Sequence, residues 1–199
     1  MILFFGKKEQ VKKMTDQEKI KKATIMLLDG LGVSLDDPNF KETPDRVART
    51  YEEMFKGKGC EKEIKRMLSS KFPSEYKGMV IIDQIKAHSM CPHHLLPVEY
   101  DIDFVYIPRG HALGLSKIVR FIRLLSLNAV LQEDLTKKII DIFNDEINPL
   151  GCMVVVKGVH NCMKCRGVKS SGRCITSEVR GDFLKDADLK LEFFELLKR

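Results

Sequence analysis

Tryptophan is absent from this 199-residue chain, and tyrosine occurs only 4 times. No aromatic stripe interleaves with basic residues, so the stacking platform that single-stranded nucleic acid needs has no basis in the sequence. No apolar run approaches the roughly 18 residues of a membrane span. The opening MILFF, Met1 to Phe5, is apolar, but it lacks a basic lead and GKKEQVKK cuts it off, so it is too short for the core of a secretory signal. There is no internal repeat and no low-complexity linker. The expectations are one structural unit, no membrane, no nucleic acid and a cytoplasmic location. A chain of this size buries about 70% of its unfolded surface, so it folds without covalent staples.

The six cysteines are Cys60, Cys91, Cys152, Cys162, Cys165 and Cys174. Without a secretory signal they read as thiols or metal ligands, not as a disulfide framework. Lysine and arginine number 34 against 28 acidic residues, a net charge of +6. The two signs alternate, as in EKEIKR, which is the pattern of solvated helix faces. A moderate positive charge also suits an anionic ligand such as a nucleotide triphosphate.

The N-terminal third has helical grammar. Thr15 with Glu18 forms a capping-box pattern, Ile20, Ala23, Leu27 and Leu28 follow at helical spacing, and Gly30 and Gly32 end the run. TPDRVARTYEEMFKG repeats this, with Thr43 as N-cap, Pro44 in the first turn and an apolar face of Val47, Tyr51, Met54 and Phe55. A short helix over CEKEIKRML follows. The texture turns to β near Gly78. Val98, Tyr100, Ile102, Phe104 and Tyr106 alternate along one strand face with acidic residues on the other. Two helices come next, from Ser116 and from about Glu133. Strands over CMVVVKGVHNCM and RCITSEVRGDF and a closing helix over DADLKLEFFELLKR complete the chain. Strand pairs separated by a helix pair predict an α+β fold with a mostly antiparallel sheet.

Chemistry concentrates in HSMCPHHLLP and VHNCMKC. Cys91 and His94 are three apart in a loop bent by Pro92. His160 and Cys162 are two apart at a strand end, so the spacing predicts one shared face. Thiolates with an imidazole suit zinc. A catalytic zinc takes three protein ligands and keeps a position for water, whose pKa it lowers to about 7. One of the adjacent histidines then binds metal and the other moves protons, as His160 can also. The ordinary alternatives are small buried thiols and hydrogen-bonded structural histidines. A rival uses CMKC: Cys91, His94, Cys162 and Cys165 close a structural four-ligand site in a zinc-stapled binding module.

A second cluster, GLSKIVR, sets Ser116, Lys117 and Arg120 at a helix N-terminus, a good phosphate site, though an ordinary N-cap with surface charges reads the same way. Gln132 and Glu133 fall between the two helices, where a carboxylate beside an amide could grip a guanine edge. Arg166 follows Cys162 by four residues and adds a cation.

Taken in order, TPDRVAR, CPHHLLP, YIPRGHALGLSKIVR, QEDLT, VHNCMKCRGV and ITSEVRGDF resemble GTP cyclohydrolase I, a zinc-dependent family, over Thr43 to Phe183. The resemblance implies the tunnelling fold: a four-stranded antiparallel sheet in ββααββ order backed by two helices, behind a helical N-terminal region. With the change of texture near Gly78, the expected bounds are a helical region over 1–77 and the catalytic domain over 78–199. It implies a homo-oligomer, a decamer of two pentamers with active sites between subunits. The reaction takes GTP and water to 7,8-dihydroneopterin triphosphate and formate. Carried over, the metal ligands are Cys91, His94 and Cys162, and the acid–base histidines are His93 and His160. Gln132 and Glu133 hold guanine, while Ser116, Lys117, Arg120 and Arg166 hold the triphosphate and ribose.

Three positions depart from the family pattern. Pro92 replaces a common Glu and stiffens the loop. Asp134 replaces a common Arg and removes a cation near the guanine end. Cys165 adds a third thiol near the metal. A different enzyme of the same fold, acting on another purine or pterin, is the other rival.

Overall fold

The computed structural model describes residues 15–198, so the apolar opening MILFF and the closing Arg199 lie outside the described residues. The chain divides into two compact units at Phe55 and Lys56.

The first unit holds α1 (Gln17–Gly30) and α2 (Thr43–Met54). The predicted cap shifts by one residue. Asp16, not Thr15, is the N-cap of α1, and its carboxylate accepts the Lys19 N–H at 3.1 Å. Aspartate caps as well as threonine does, and this start leaves Glu18 in the first turn, where the helix dipole favours it. The buried stripe of α1 runs through Thr24 and Leu28, while Leu27 stays 61% exposed. On α2 the cap is Glu42, with Thr43 and Pro44 inside the first turn and Ala48 fully buried. Lys21 and Asp45 join the helices through a surface ion pair at 2.7 Å.

The second unit begins with α3 (Glu61–Leu68), β1 (Lys71–Pro73), β2 (Val80–Met90), β3 (Pro97–Ile107) and β4 (His111–Leu113). It continues through α4 (Leu115–Ser126), α5 (Gln132–Ile147), β5 (Gly151–His160), α6 (Asn161–Lys164), β6 (Cys174–Gly181), α7 (Asp182–Lys185) and α8 (Ala187–Leu197). The main sheet is antiparallel throughout, in the order β2-β3-β5-β6, while β1 and β4 pair separately.

One face of the sheet carries the main core. Val98, Tyr100, Ile102, Phe104 and Tyr106, at period two, meet Ile118, Phe121 and Ile122 of α4 and Leu135, Ile139 and Phe143 of α5, at helical period. Phe143 sets its ring edge-on to Phe104 and Tyr106, with centroids at 4.7 and 5.2 Å, a favoured aromatic arrangement. Cys60, Ile64 and Leu68 bring α3 into this same core. The second unit therefore starts well before the change of texture at Gly78 that set the expected 1–77 boundary.

The opposite face is not simply acidic. Val105, Ile107, Met153 and Val155 form a second core there under Phe183 and Phe193. Asp103 lies on this face, 2% exposed, and accepts from Lys157 Nζ at 2.7 Å and from the Gln84 N–H at 3.0 Å. A bulge between Ile82 and Ile85, with Gln84 at φ 50°, turns that N–H toward the carboxylate.

The sheet has two distinct ends. Met90, Pro97, His160 and Cys174 mark one, and Val80, Tyr106, Gly151 and Gly181 mark the other.

Candidate active site and metal centre

The loop after β2 closes on itself. The Cys91 N–H reaches Leu96 O and the Leu95 N–H reaches Cys91 O, each at 2.9 Å, with Leu95 in the left-handed region at φ 52°. Cys91 is 5% exposed at the base of this loop, whereas His93 and His94 stand on its exposed crest.

The expected shared strand face for His160 and Cys162 is corrected. β5 stops at His160, and Asn161–Lys164 make one helical turn with His160 as its N-cap residue. Asn161 Nδ2 donates to Pro97 O at 3.0 Å and ties the turn to the start of β3. Cys162 thus turns away from the strand to meet Cys91 and His94, while His160 faces α5.

Ligand atoms of Cys91, His94 and Cys162 all lie within 4.8 Å of one another, and Cys91 Sγ is 3.6 Å from His94 Nδ1. Ligand atoms around a tetrahedral zinc stand about 3.5 Å apart, given bonds of roughly 2.0–2.3 Å, so this spacing fits such an ion. Burial pushes the Cys162 thiol up, and the adjoining Cys91 pushes it further. A bound cation would favour the thiolate form that a metal ligand needs. Cys165 stands outside the group. It is exposed, and its Sγ donates to Asn161 O at 2.8 Å. Arg166 Nη1 approaches Nε2 of His94 at 3.3 Å.

His160 is half-buried, and its Nε2 lies 2.9 Å from Gln132 Oε1. Burial lowers its pKa, and the nearby Glu133 carboxylate opposes the shift. Gln132, expected at the guanine, is 2% exposed. Its Nε2 donates to Val156 O at 3.0 Å, to Cys174 O at 3.1 Å and to Thr176 Oγ1 at 3.1 Å. The side chain is consumed by the protein interior. Glu133, the next residue, is exposed in the first turn of α5. The His93 ring stands edge-on to His94, with centroids 6.4 Å apart.

Ser116 and Lys117 lie in the first turn of α4, at the end away from this centre, and Arg120 lies midway along the helix. Hydrogen bonds from Met90 N to Asn128 O at 3.0 Å and from Val130 N to Met90 O at 3.3 Å hold the C-terminal end of α4 beside Cys91. The helix runs from there toward Leu113, whose N–H donates to Tyr106 Oη at 3.1 Å at the far end of the sheet. Its 12 residues span about 18 Å at 1.5 Å each. Gly114 is its N-cap and makes no side-chain cap bond, so Ser116 is the second helical residue and not the cap.

Two contributors escaped sequence reasoning. Thr176 joins Gln132 across 44 positions, with no local signal. Gly158 leaves the room that Gln132 fills: a Cβ there would stand 2.2 Å from Gln132 Oε1.

The comparisons agree with one another. The family model described as GTP cyclohydrolase I matches residues 20–198. A protein named GTP cyclohydrolase 1 from Hydrogenobaculum sp. (strain Y04AAS1) is 41% identical over 187 residues, covering 94% of this chain and 100% of that protein. Its namesake from Aquifex aeolicus (strain VF5) is 42% identical over 187 residues, covering 92% and 97%. One from Clostridium perfringens (strain 13 / Type A) is 40% identical over 185 residues, covering 92% and 99%.

Proposed function

The chain belongs to the GTP cyclohydrolase I family, and from that membership we propose that it converts GTP and water to 7,8-dihydroneopterin triphosphate and formate, a first step toward pterin, folate or deazapurine products. The observation that carries this reading is the convergence of Cys91, His94 and Cys162 within 4.8 Å beside two histidines that do not join the group.

Cys91, His94 and Cys162 would hold zinc, which when bound would supply a Lewis acid and lower the pKa of water to about 7. Glu133 accepts the ring N–H and amino protons of guanine. His160 gives a proton to the imidazole part of the purine as that ring opens. His93, on the exposed crest, moves protons in the second hydrolysis that frees formate. Arg166 pairs with the ribose triphosphate end.

Ser116, Lys117 and Arg120 grip phosphate at the N-terminus of α4, where helix N–H groups favour anions. About 15 Å of helix separates Ser116 from the end of α4 held beside the metal centre, and about 9 Å separates Arg120 from it, which favours a second copy as the one whose α4 supplies these residues. Homo-oligomerisation is therefore part of the proposal. Among the described residues β2 and β6 each have one strand neighbour in the main sheet, which supports a tunnelling fold whose sheets continue from copy to copy into a barrel. The proposed assembly is a decamer of two pentamers.

The test is formate release from GTP by the zinc-loaded protein, with products identified by mass spectrometry and His160→Ala beside it. Formate with 7,8-dihydroneopterin triphosphate, lost in the variant, is the expected result. Bound zinc without formate would reject GTP and favour a different purine or pterin.

A further inference from the structure

We propose that Gln132 is a positioning residue: it holds neutral His160 with its proton on Nε2 and leaves Nδ1 as the nitrogen that exchanges protons with substrate. The role of that exchange rests on the proposed reaction, but the tautomer does not.

The argument is an accounting of protons. Thr136 Oγ1 lies 2.7 Å from Gln132 O, an acceptor only, so the Thr136 hydroxyl spends its one proton there. Thr136 Oγ1 and Thr176 Oγ1 are 2.6 Å apart, so Thr176 must be the donor of that pair. The Thr176 oxygen can then only accept from Gln132 Nε2, 3.1 Å away. Val156 O and Cys174 O, at 3.0 and 3.1 Å from the same nitrogen, are also pure acceptors. Three acceptors converge on the amide nitrogen. Turning the amide over would set Oε1 against three oxygens that have no proton to offer, in a site where Gln132 is 2% exposed.

With the amide fixed, Oε1 faces His160. A carbonyl oxygen accepts, so the imidazole nitrogen 2.9 Å away carries the hydrogen. His160 thereby presents a bare Nδ1 when neutral and an Nδ1–H when charged. The ring is oriented from behind by a neutral amide, which fixes the tautomer without adding a charge. Gly158 belongs to the same device, because a Cβ at that position would stand 2.2 Å from Gln132 Oε1.

The test reads the tautomer directly. Zinc-loaded protein carrying ring-15N histidine is examined by magic-angle-spinning NMR near about pH 8, where imidazole is neutral. His160→Asn identifies the His160 signals. The expected result is a protonated Nε2 and a bare Nδ1, and a proton on Nδ1 would overturn the proposal. In Gln132→Met, of similar length but without the acceptor, both tautomers are expected, with kcat for formate down about 100-fold and KM for GTP within about 3-fold. An unchanged single tautomer in that variant would also overturn it. If wild-type protein shows the Nε2 proton but releases no formate, the reaction is rejected and the assignment of Gln132 stands. The wild-type spectrum decides the matter even if Gln132→Met does not fold.

Discussion

The Arg166 guanidinium lies 3.3 Å from Nε2 of His94, while Nδ1 of that ring faces the Cys91 sulfur at 3.6 Å. The cation and the thiol cluster thus occupy opposite edges of one imidazole. Arg166→Ala should leave metal content unchanged and raise KM for GTP about 10-fold or more, because the guanidinium is on the solvent side. Arg166→Lys should recover only part of this, since a point charge cannot reproduce the fork. Metal analysis beside steady-state kinetics checks both. Loss of metal in Arg166→Ala would make the cation part of the centre instead.

Removing the third thiol should cost no metal. Cys165 stands outside the group of Cys91, His94 and Cys162 and bonds back to its own turn. Cys165→Ala is expected to bind one equivalent of zinc, and Cys162→Ala to lose it or bind it far more weakly. Elemental analysis after gel filtration distinguishes them. Zinc lost from Cys165→Ala would revive the closed four-ligand site.

Gly158→Ala tests the packing behind the site. The added Cβ would meet Gln132 Oε1 at 2.2 Å and Tyr100 Cε1 at 3.0 Å. Overpacking of this kind costs about 1–3 kcal/mol. A lower Tm is expected, together with a kcat loss in the manner of Gln132→Met. A Tm and kcat equal to wild type would show that the site relaxes freely.

Alkaline pH should weaken the fold. Burial pushes the Cys152 thiol from 9.0 up to about 12, and burial likewise pushes the Tyr100 phenol from 10.0 up to about 12, against a hydrogen bond from Ser89. Between those limits the folded chain holds protons that the unfolded chain has released, so stability is fully present below pH 9 and falls as pH rises toward about 12. Thermal melts from about pH 8 to 11 should show the decline. Cys152→Ala and Tyr100→Phe should each make it shallower, whatever they do to the baseline. Equal slopes in all three proteins would assign the alkaline loss to other groups.

What the sequence made legible was local. The alternation of Val98 to Tyr106 identified the core face of β3, because a half-buried strand must repeat at period two. The candidate metal group was legible in part: residue type and spacing pointed to Cys91, His94 and Cys162, but left Cys165 and the choice between His93 and His94 open. What failed depended on distant partners. Gln132 reads like a first-turn amide next to a carboxylate, but its burial is made by Val156, Cys174 and Thr176, 24 to 44 positions later. Val105 and Ile107 lie on a face whose cover arrives only with Phe183 and Phe193. The HNCMK segment has strand neighbours on its N-terminal side, and nothing local announces that the ladder stops at His160. GLSKIVR was legible as the start of a helix, but the direction in which α4 runs from Ser116 is set by the sheet and has no local signal.

Cys91 leaves the end of β2 and Cys162 the turn after β5, with β3 between them. Their meeting depends on two ladders being in phase at once. A slip of one residue in either moves a sulfur by about 3.3 Å, against a tolerance of roughly 0.2 Å for a metal bond. The Asp103 carboxylate, bound to Gln84 of β2 and Lys157 of β5, spans the same three strands. It acts as a dowel through the sheet, and ion retention becomes a gauge of strand alignment. A chain that mispairs its strands would separate Cys91 from Cys162 and lose the capacity to hold an ion, so misfolded copies would be marked by their own chemistry.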